Sequence, residues 1–303
     1  MMMPRESRAG DIGDSSSPRA LLADCSLEIT ARDAAALDEV RADLPSGTQV
    51  SITYLPGDSI EKLIDAAARV RGAGFEPVPH ISARRLSSLS ELQRFLSGLA
   101  SGAGIDRLFV IGGDPAQPAG PFSSALDVIQ SGFLEDFGIR KVGIAGYPEG
   151  HPQLTQEVLR RAMSDKLEAL TRRDMDAEIV TQFVFDADHV LGWLTALRAD
   201  GIDAQVRIGV PGPASIKSLL RFASRCGVSA STKVLAKYGI SLTRLLGTAT
   251  PDILVEALAQ GLSESAHGGV TTHLYPFGGV AQSASWLAGH LRDGARPEKL
   301  RPR

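Results

Sequence analysis

Two acids and several neutral hydrogen-bonding side chains stand where short apolar runs of this sequence end. In SLEIT, strand alternation puts Ser26, Glu28 and Thr30 on one face and Leu27 and Ile29 on the other. A carboxylate on the inward face of a strand is partly desolvated, which raises its pKa and suits a general acid near neutral pH. The competing reading is a structural glutamate paired with an arginine. In VIGGDPAQPAG, Asp114 follows Gly112 and Gly113, whose missing side chains let a flat ligand approach the backbone. Equally, Pro115 makes Asp114 a plausible turn or helix-capping aspartate. Thr53, His80, Tyr147, His151 and Gln182 also fall at or just beyond strand ends. No HxH pair, HExxH motif or adjacent carboxylate accompanies the histidines, so hydrogen bonding is expected of them and no metal site. Lys166 in MSDKLEAL reads as a solvated helical lysine, with a phosphate contact as the alternative. Phe222 reads as a core aromatic, and His189 as an ordinary helix residue.

These positions need a scaffold that gathers strand ends. From about residue 26, apolar strand-like runs alternate with amphipathic helical ones: LEIT, QVSITY, EPVPHIS, RLFVIGG, KVGIAGYP, AEIVTQFVF, AQVRIGV and VTTHLYPF. DSIEKLIDAAARVRGAG is typical of the intervening helices, with Ile60, Leu63, Ile64 and Ala67 as its apolar stripe. Eight such units predict an α/β fold, a (β/α)8 TIM barrel, whose chemistry gathers at the carboxyl ends of the strands. A Rossmann fold is the alternative, but the first strand and helix carry no GxGxxG turn. Residues 231–265 predict extra helices before the last strand, inside one domain covering 21–303. Residues 1–20, polar and rich in Ser, Gly and Pro, predict a flexible tail.

Composition excludes several classes. With a net charge of -3, nothing points to nucleic acid or a membrane surface. No apolar run approaches the roughly 18 residues of a spanning helix, and the amino terminus lacks a signal-peptide core, which predicts a cytoplasmic protein. Cys25 and Cys226 have neither CxxC nor zinc-ligand spacing. A glycosidase needs a second carboxylate and aromatic platforms, yet RIGVPG has no acid and aromatics are 5%. A Schiff-base aldolase needs a lysine at a strand's carboxyl end, whereas Lys141 opens its strand. Two acids, neutral hydrogen-bonders and glycines suit a large flat cofactor.

Several motifs coincide, in order, with the methylenetetrahydrofolate reductase family, a flavoprotein barrel that the chain resembles over nearly its whole length. They are Glu28 in the first strand, VSITY around Thr53, PHIS around His80, GGDP around Asp114, AGYPEGHP from Ala145 to Pro152, TQFVFD from Thr181 to Asp186, and IKSLLRF ending at Phe222. The resemblance implies noncovalent FAD held by Thr53, His80, Gly113, Asp114, Tyr147, His151 and Lys166. It implies Glu28 as general acid, Asp114 as the acid beside the flavin, and Gln182 and Phe222 as folate contacts with Glu28. The implied reaction interconverts methylenetetrahydrofolate and methyltetrahydrofolate, with NADH or NADPH as electron donor, in a short form without a regulatory domain. The direction, supplying methyl groups for methionine synthesis or recovering methylene units, stays open. Many members carry an arginine before the two glycines, where this chain has Ile111 and Gly112, and another near the last strand, where it has Gly279. That leaves the nicotinamide partner open. A flavin-free pterin-binding methyltransferase, or a folate- or flavin-binding relative without turnover, are the competing functions. A homo-oligomer is expected, because an exposed barrel helix often buries against its own copy.

Overall fold

A computed structural model of the chain describes residues 17–226 and 247–293. Eight parallel strands close into a barrel: β1 Ser26–Thr30, β2 Gln49–Thr53, β3 Glu76–Ser82, β4 Arg107–Ile111, β5 Lys141–Gly146, β6 Asp176–Phe183, β7 Gln205–Pro211 and β8 Val270–Tyr275. β8 pairs with β1, with Ser26 opposite His273. All eight runs expected from the sequence are strands, and the (β/α)8 barrel is the observed fold. Parallel neighbours cannot be joined by tight turns, so helices cross back over the outside: α1 Pro18–Leu22 precedes β1, and α2 Ile60–Gly72, α3 Leu89–Ala103, α4 Ala125–Ile129, α5 Phe133–Asp136, α6 Gln156–Thr171, α7 Ala187–Ala199 and α8 Ile216–Cys226 follow in order.

The first crossover breaks the helical pattern. Ala31–Leu37 is a 3-10 helix, and the buried residues Ala34, Leu37 and Val40 recur every three positions, the period of that helix and not of an α-helix. α1 begins inside the segment expected to be a tail. The Ser17 hydroxyl accepts the Ala20 N–H and Pro18 supplies a preset φ at the first turn. Residues 1–16 lie outside the described residues, as do 227–246 of the expected helical insertion. Its described remainder holds helices at Asp252–Gly261 and Glu264–His267 before β8. No described helix is long and apolar enough to cross a membrane.

The main core lies between strands and helices, where Leu63, Phe75, Phe95, Ile52 and Ile81 are fully buried. α2 and α3 approach so closely that a Cβ at Gly98 would collide with the Ile64 side chain. Inside the barrel a second apolar group, Val78, Phe109 and Val180 flanked by Ile111 and Ala145, lines the side formed by β3 to β6. The amino-terminal end is closed by charge. Arg207 is fully buried, with Nε donating to Glu178 Oε1 at 2.9 Å and Nη2 to Asp24 Oδ2 at 2.9 Å, while Lys141 Nζ lies 3.1 Å from Glu178. This plug leaves the carboxyl end as the open mouth.

Candidate active site

Glu28 faces the barrel interior, as strand alternation predicts. Its Oε2 lies 3.7 Å from Nε2 of His80 on β3 and 3.7 Å from Nε2 of His273 on β8. Neither of those strands neighbours the other, so the three side chains can meet only across the lumen. Burial pushes the Glu28 carboxyl up, but the His273 and His80 imidazoles and the Thr53 hydroxyl outweigh it, and the net shift is downward. The raised value expected from desolvation alone is therefore corrected by its neighbours. Among the described residues no arginine pairs with Glu28; histidines take that place.

His80 is almost fully buried, and burial drives its pKa down to about 4 despite the raising effect of Glu28. Its ring packs on Phe109 at 4.6 Å, and Nδ1 has no hydrogen-bond partner among the described residues. His273 Nδ1 lies 2.7 Å from Ser26 Oγ. A Ser26 hydroxyl that donates to Nδ1 leaves Nε2–H facing Glu28. Sequence reading missed His273. The available signal was VTTHLYPF itself, where alternation puts Thr271, His273 and Tyr275 on one face.

Asp114 occupies the rim, with its side chain 90% exposed and 3.7 Å from Arg85 Nη2. It does not enter the lumen. Gly113 has a φ of +92°, and a Cβ there would overlap the Ser82 hydroxyl, so only glycine makes this turn without strain. Arg84 holds the same loop: its N–H donates to Gly112 O at 2.9 Å, and its side chain donates to Ser123 O at 2.7 Å and Pro115 O at 3.2 Å. Gly279 has a φ of +108°, so an arginine there would be strained.

Tyr147 and His151, on the loop after β5, meet edge to face at 5.4 Å. Burial, and secondarily the charge of Asp114, raise the Tyr147 phenol. Glu149 ties this loop to the end of β6 by accepting the Phe185 N–H at 3.1 Å. Lys166 is not the solvated lysine of the simpler reading. It sits on the stripe of α6 that includes Met163 and Leu170, and burial pushes its ammonium down to about 8 with no acidic partner among the described residues. Gln182 is half-buried beside a bulge in β6, where the register against β7 slips between Val180 and Phe183. The Thr181 hydroxyl accepts the Gly209 N–H at 2.8 Å and so replaces a ladder bond. Phe222 is half-buried and stacked on Phe277, 4.1 Å between centroids at 15°, next to Phe183 and Tyr275. His189 is a helix residue, 3.6 Å from Asp186. Cys25 is buried, its thiol raised to about 11, and offers no thiolate. Among the described residues no group of three or more His, Cys, Asp or Glu side chains is arranged to hold a metal ion.

A parallel eight-stranded barrel with an acid and two histidines meeting inside it, and glycine-lined loops around its carboxyl end, has the architecture of a barrel enzyme. Over residues 35–267 the chain matches the methylenetetrahydrofolate reductase family, and it belongs to that family. It is similar to "Methylenetetrahydrofolate reductase (NADH) 1" of Arabidopsis thaliana, 27% identical over 75% of this chain and 40% of that protein. "Methylenetetrahydrofolate reductase 2" of Saccharomyces cerevisiae is 31% identical over 41% of this chain and 21% of its own. The chain thus spans less than half the length of these relatives. Among solved structures, an uncharacterised protein from Clostridium thermocellum that binds two copies of 5-methyl-5,6,7,8-tetrahydrofolic acid shares the fold, with a TM-score of 0.59 and 13% identity over 91% of this chain and 97% of that one.

Proposed function

We propose that the chain is a flavin-dependent methylenetetrahydrofolate reductase. The observation that carries this reading is the inward Glu28 carboxyl, set between His80, His273 and Thr53 in a chain of this family. The mouth fits FAD in three respects. The apolar wall of Phe109, Val78 and Val180 can back a flat ring; Gly112 and Gly113 keep the rim low; and Lys166, half-buried and without an acidic partner among the described residues, could take a diphosphate. Thr53, His80, Gly113, Asp114, Tyr147, His151 and Lys166 would hold the cofactor, and Glu28, Gln182 and Phe222 the folate. When bound, FAD supplies a carrier that takes hydride from the nicotinamide donor and returns it to the one-carbon unit. NADH is the favoured donor, since the Arabidopsis relative carries it in its name.

The protein's own groups handle protons and charge. Opening the folate's five-membered ring needs a proton on the leaving amine, and Glu28 is the acid within reach of the lumen. Its carboxyl is held low by the histidines, so its acid role requires a ligand that seals the mouth against water. Desolvation is already the largest influence on Glu28, and a ligand would extend it. Asp114 would offset the positive charge that ring opening leaves on the folate. Purified protein should carry FAD, and anaerobic NADH should bleach it. A colourless protein that binds methyltetrahydrofolate but not FAD would favour a methyltransferase instead.

A further inference from the structure

Beside the mouth, the loops after β2, β3 and β4 enclose a cleft of about 250 Å³ lined by Tyr54, Asp58, Arg84, Arg85, Pro115 and Gln117. The two arginines in it are used differently. Arg84 is committed to backbone carbonyls and builds the wall, as described above. The Arg85 side chain is only 17% exposed, yet it makes no hydrogen bond among the described residues. Its one ion pair among the described residues, with Asp114, spans 3.7 Å, beyond hydrogen-bond distance, and Asp114 is itself solvated. A guanidinium this enclosed with its fork of N–H donors unengaged is suited to a planar or tetrahedral oxyanion. Tyr54 adds a phenol whose ring is anchored edge-on against Phe95 at 6.3 Å, and Gln117 adds an amide. Asp58 is the acid in the cleft lining, and the charges of Glu91 and Glu61 also reach Tyr54. Asp58 is engaged by the Leu55 N–H at 3.1 Å, and Asp114 stands on the rim shared with the mouth, where its charge is felt by Tyr147.

We propose that this cleft is an oxyanion subsite, in which Arg85 receives a phosphate or carboxylate on the tail of a ligand whose ring end occupies the barrel mouth. The assignment of a tail rests on the functional reading above; the anion site does not. It has two chemical sources, the phosphates of a dinucleotide and the glutamyl carboxylates of a folate. Both are long enough to run from the lumen over the rim, and both present the acceptor that Arg85 lacks.

The test titrates the full chain, free of flavin, with inorganic pyrophosphate while following the arginine Nε–H signals by NMR. Arg85→Lys identifies the Arg85 signal and checks that the fold survives. The Arg85 signal should shift saturably, while that of Arg161, a side chain 84% exposed on α6, should not. An Arg85 signal that moves no more than that of Arg161 overturns the site. Affinities in Arg85→Gln then separate the sources. Loss of about tenfold in the preference for FAD over riboflavin assigns phosphate, and the same loss in the preference for triglutamyl over monoglutamyl methyltetrahydrofolate assigns carboxylate. If neither preference changes, the tail assignment is wrong. If Arg85 binds pyrophosphate but the protein binds neither FAD nor folate, the reductase reading fails and the anion site stands.

Discussion

Acid should destabilise this protein through His80 before it protonates most carboxylates. His80 titrates near 6.5 when unfolded and about 4 when folded, because burial disfavours its charged form. The unfolded state therefore binds the extra proton first. The stability contributed by neutral His80 is present above 6.5 and is lost as pH falls toward the folded value. At about 1.4 kcal/mol per unit the full loss is roughly 3 kcal/mol, and by about pH 4.5 some 2 kcal/mol of it should have gone. Glu28 is shifted the opposite way relative to its charge. Its contribution holds above its unfolded value of 4.5 and fades only below it, so the window from 6.5 down to 4.5 isolates His80. Urea unfolding of wild type and His80→Gln at neutral pH and at about pH 4.5 measures the effect. The variant should lose roughly 2 kcal/mol less than wild type on acidification, and groups titrating equally in both cancel. Equal losses in the two proteins would mean that His80 is not held neutral by burial.

His273→Gln removes an interaction that keeps Glu28 ionised, so the Glu28 carboxyl should titrate higher, as read from its carbon-13 shift; an unmoved titration would exclude His273 as its partner. Glu178→Gln takes one of two carboxylates from the fully buried Arg207, leaving Asp24 as its charged partner, and should cost about 1.5–3 kcal/mol in urea unfolding, whereas a loss below 1 would show the plug to be hydrated. Gly113→Ala should cost about 1–3 kcal/mol through its positive φ, more than Gly112→Ala, where an added Cβ meets open space. Asp114→Asn should leave stability within about 0.5 kcal/mol, since the side chain is exposed, and raise the reduction potential of bound FAD; an unchanged potential would make Asp114 a turn residue or folate clamp only.

The barrel was legible because each strand announces itself locally, by β-branched runs cut off by Gly, Pro or polar turns. The direction of Glu28 followed from alternation alone. Its proton affinity did not, because alternation says which face a residue occupies and nothing about what faces it across a closed barrel. His273 escaped for the same reason: only closure of β8 onto β1 brings it to Glu28. The rim was half legible. Gly113 and Asp114 mark the loop after β4, but the turn after β3 that supplies Arg84 and Arg85 has no motif of its own, and its arginines matter only once the two loops touch. Lys166 looked like any helical lysine until the packing of α6 showed which stripe it occupies.

The central claim is that Glu28 protonates folate in a flavin-containing barrel. Anaerobic mixing of the NADH-reduced protein with methylenetetrahydrofolate, followed by flavin absorbance, tests it in one trace. Wild type should regain the oxidised spectrum, and Glu28→Gln, still carrying FAD, should do so about 10² to 10⁴ times more slowly. A wild-type trace that never recovers, or a variant that recovers at the wild-type rate, contradicts it.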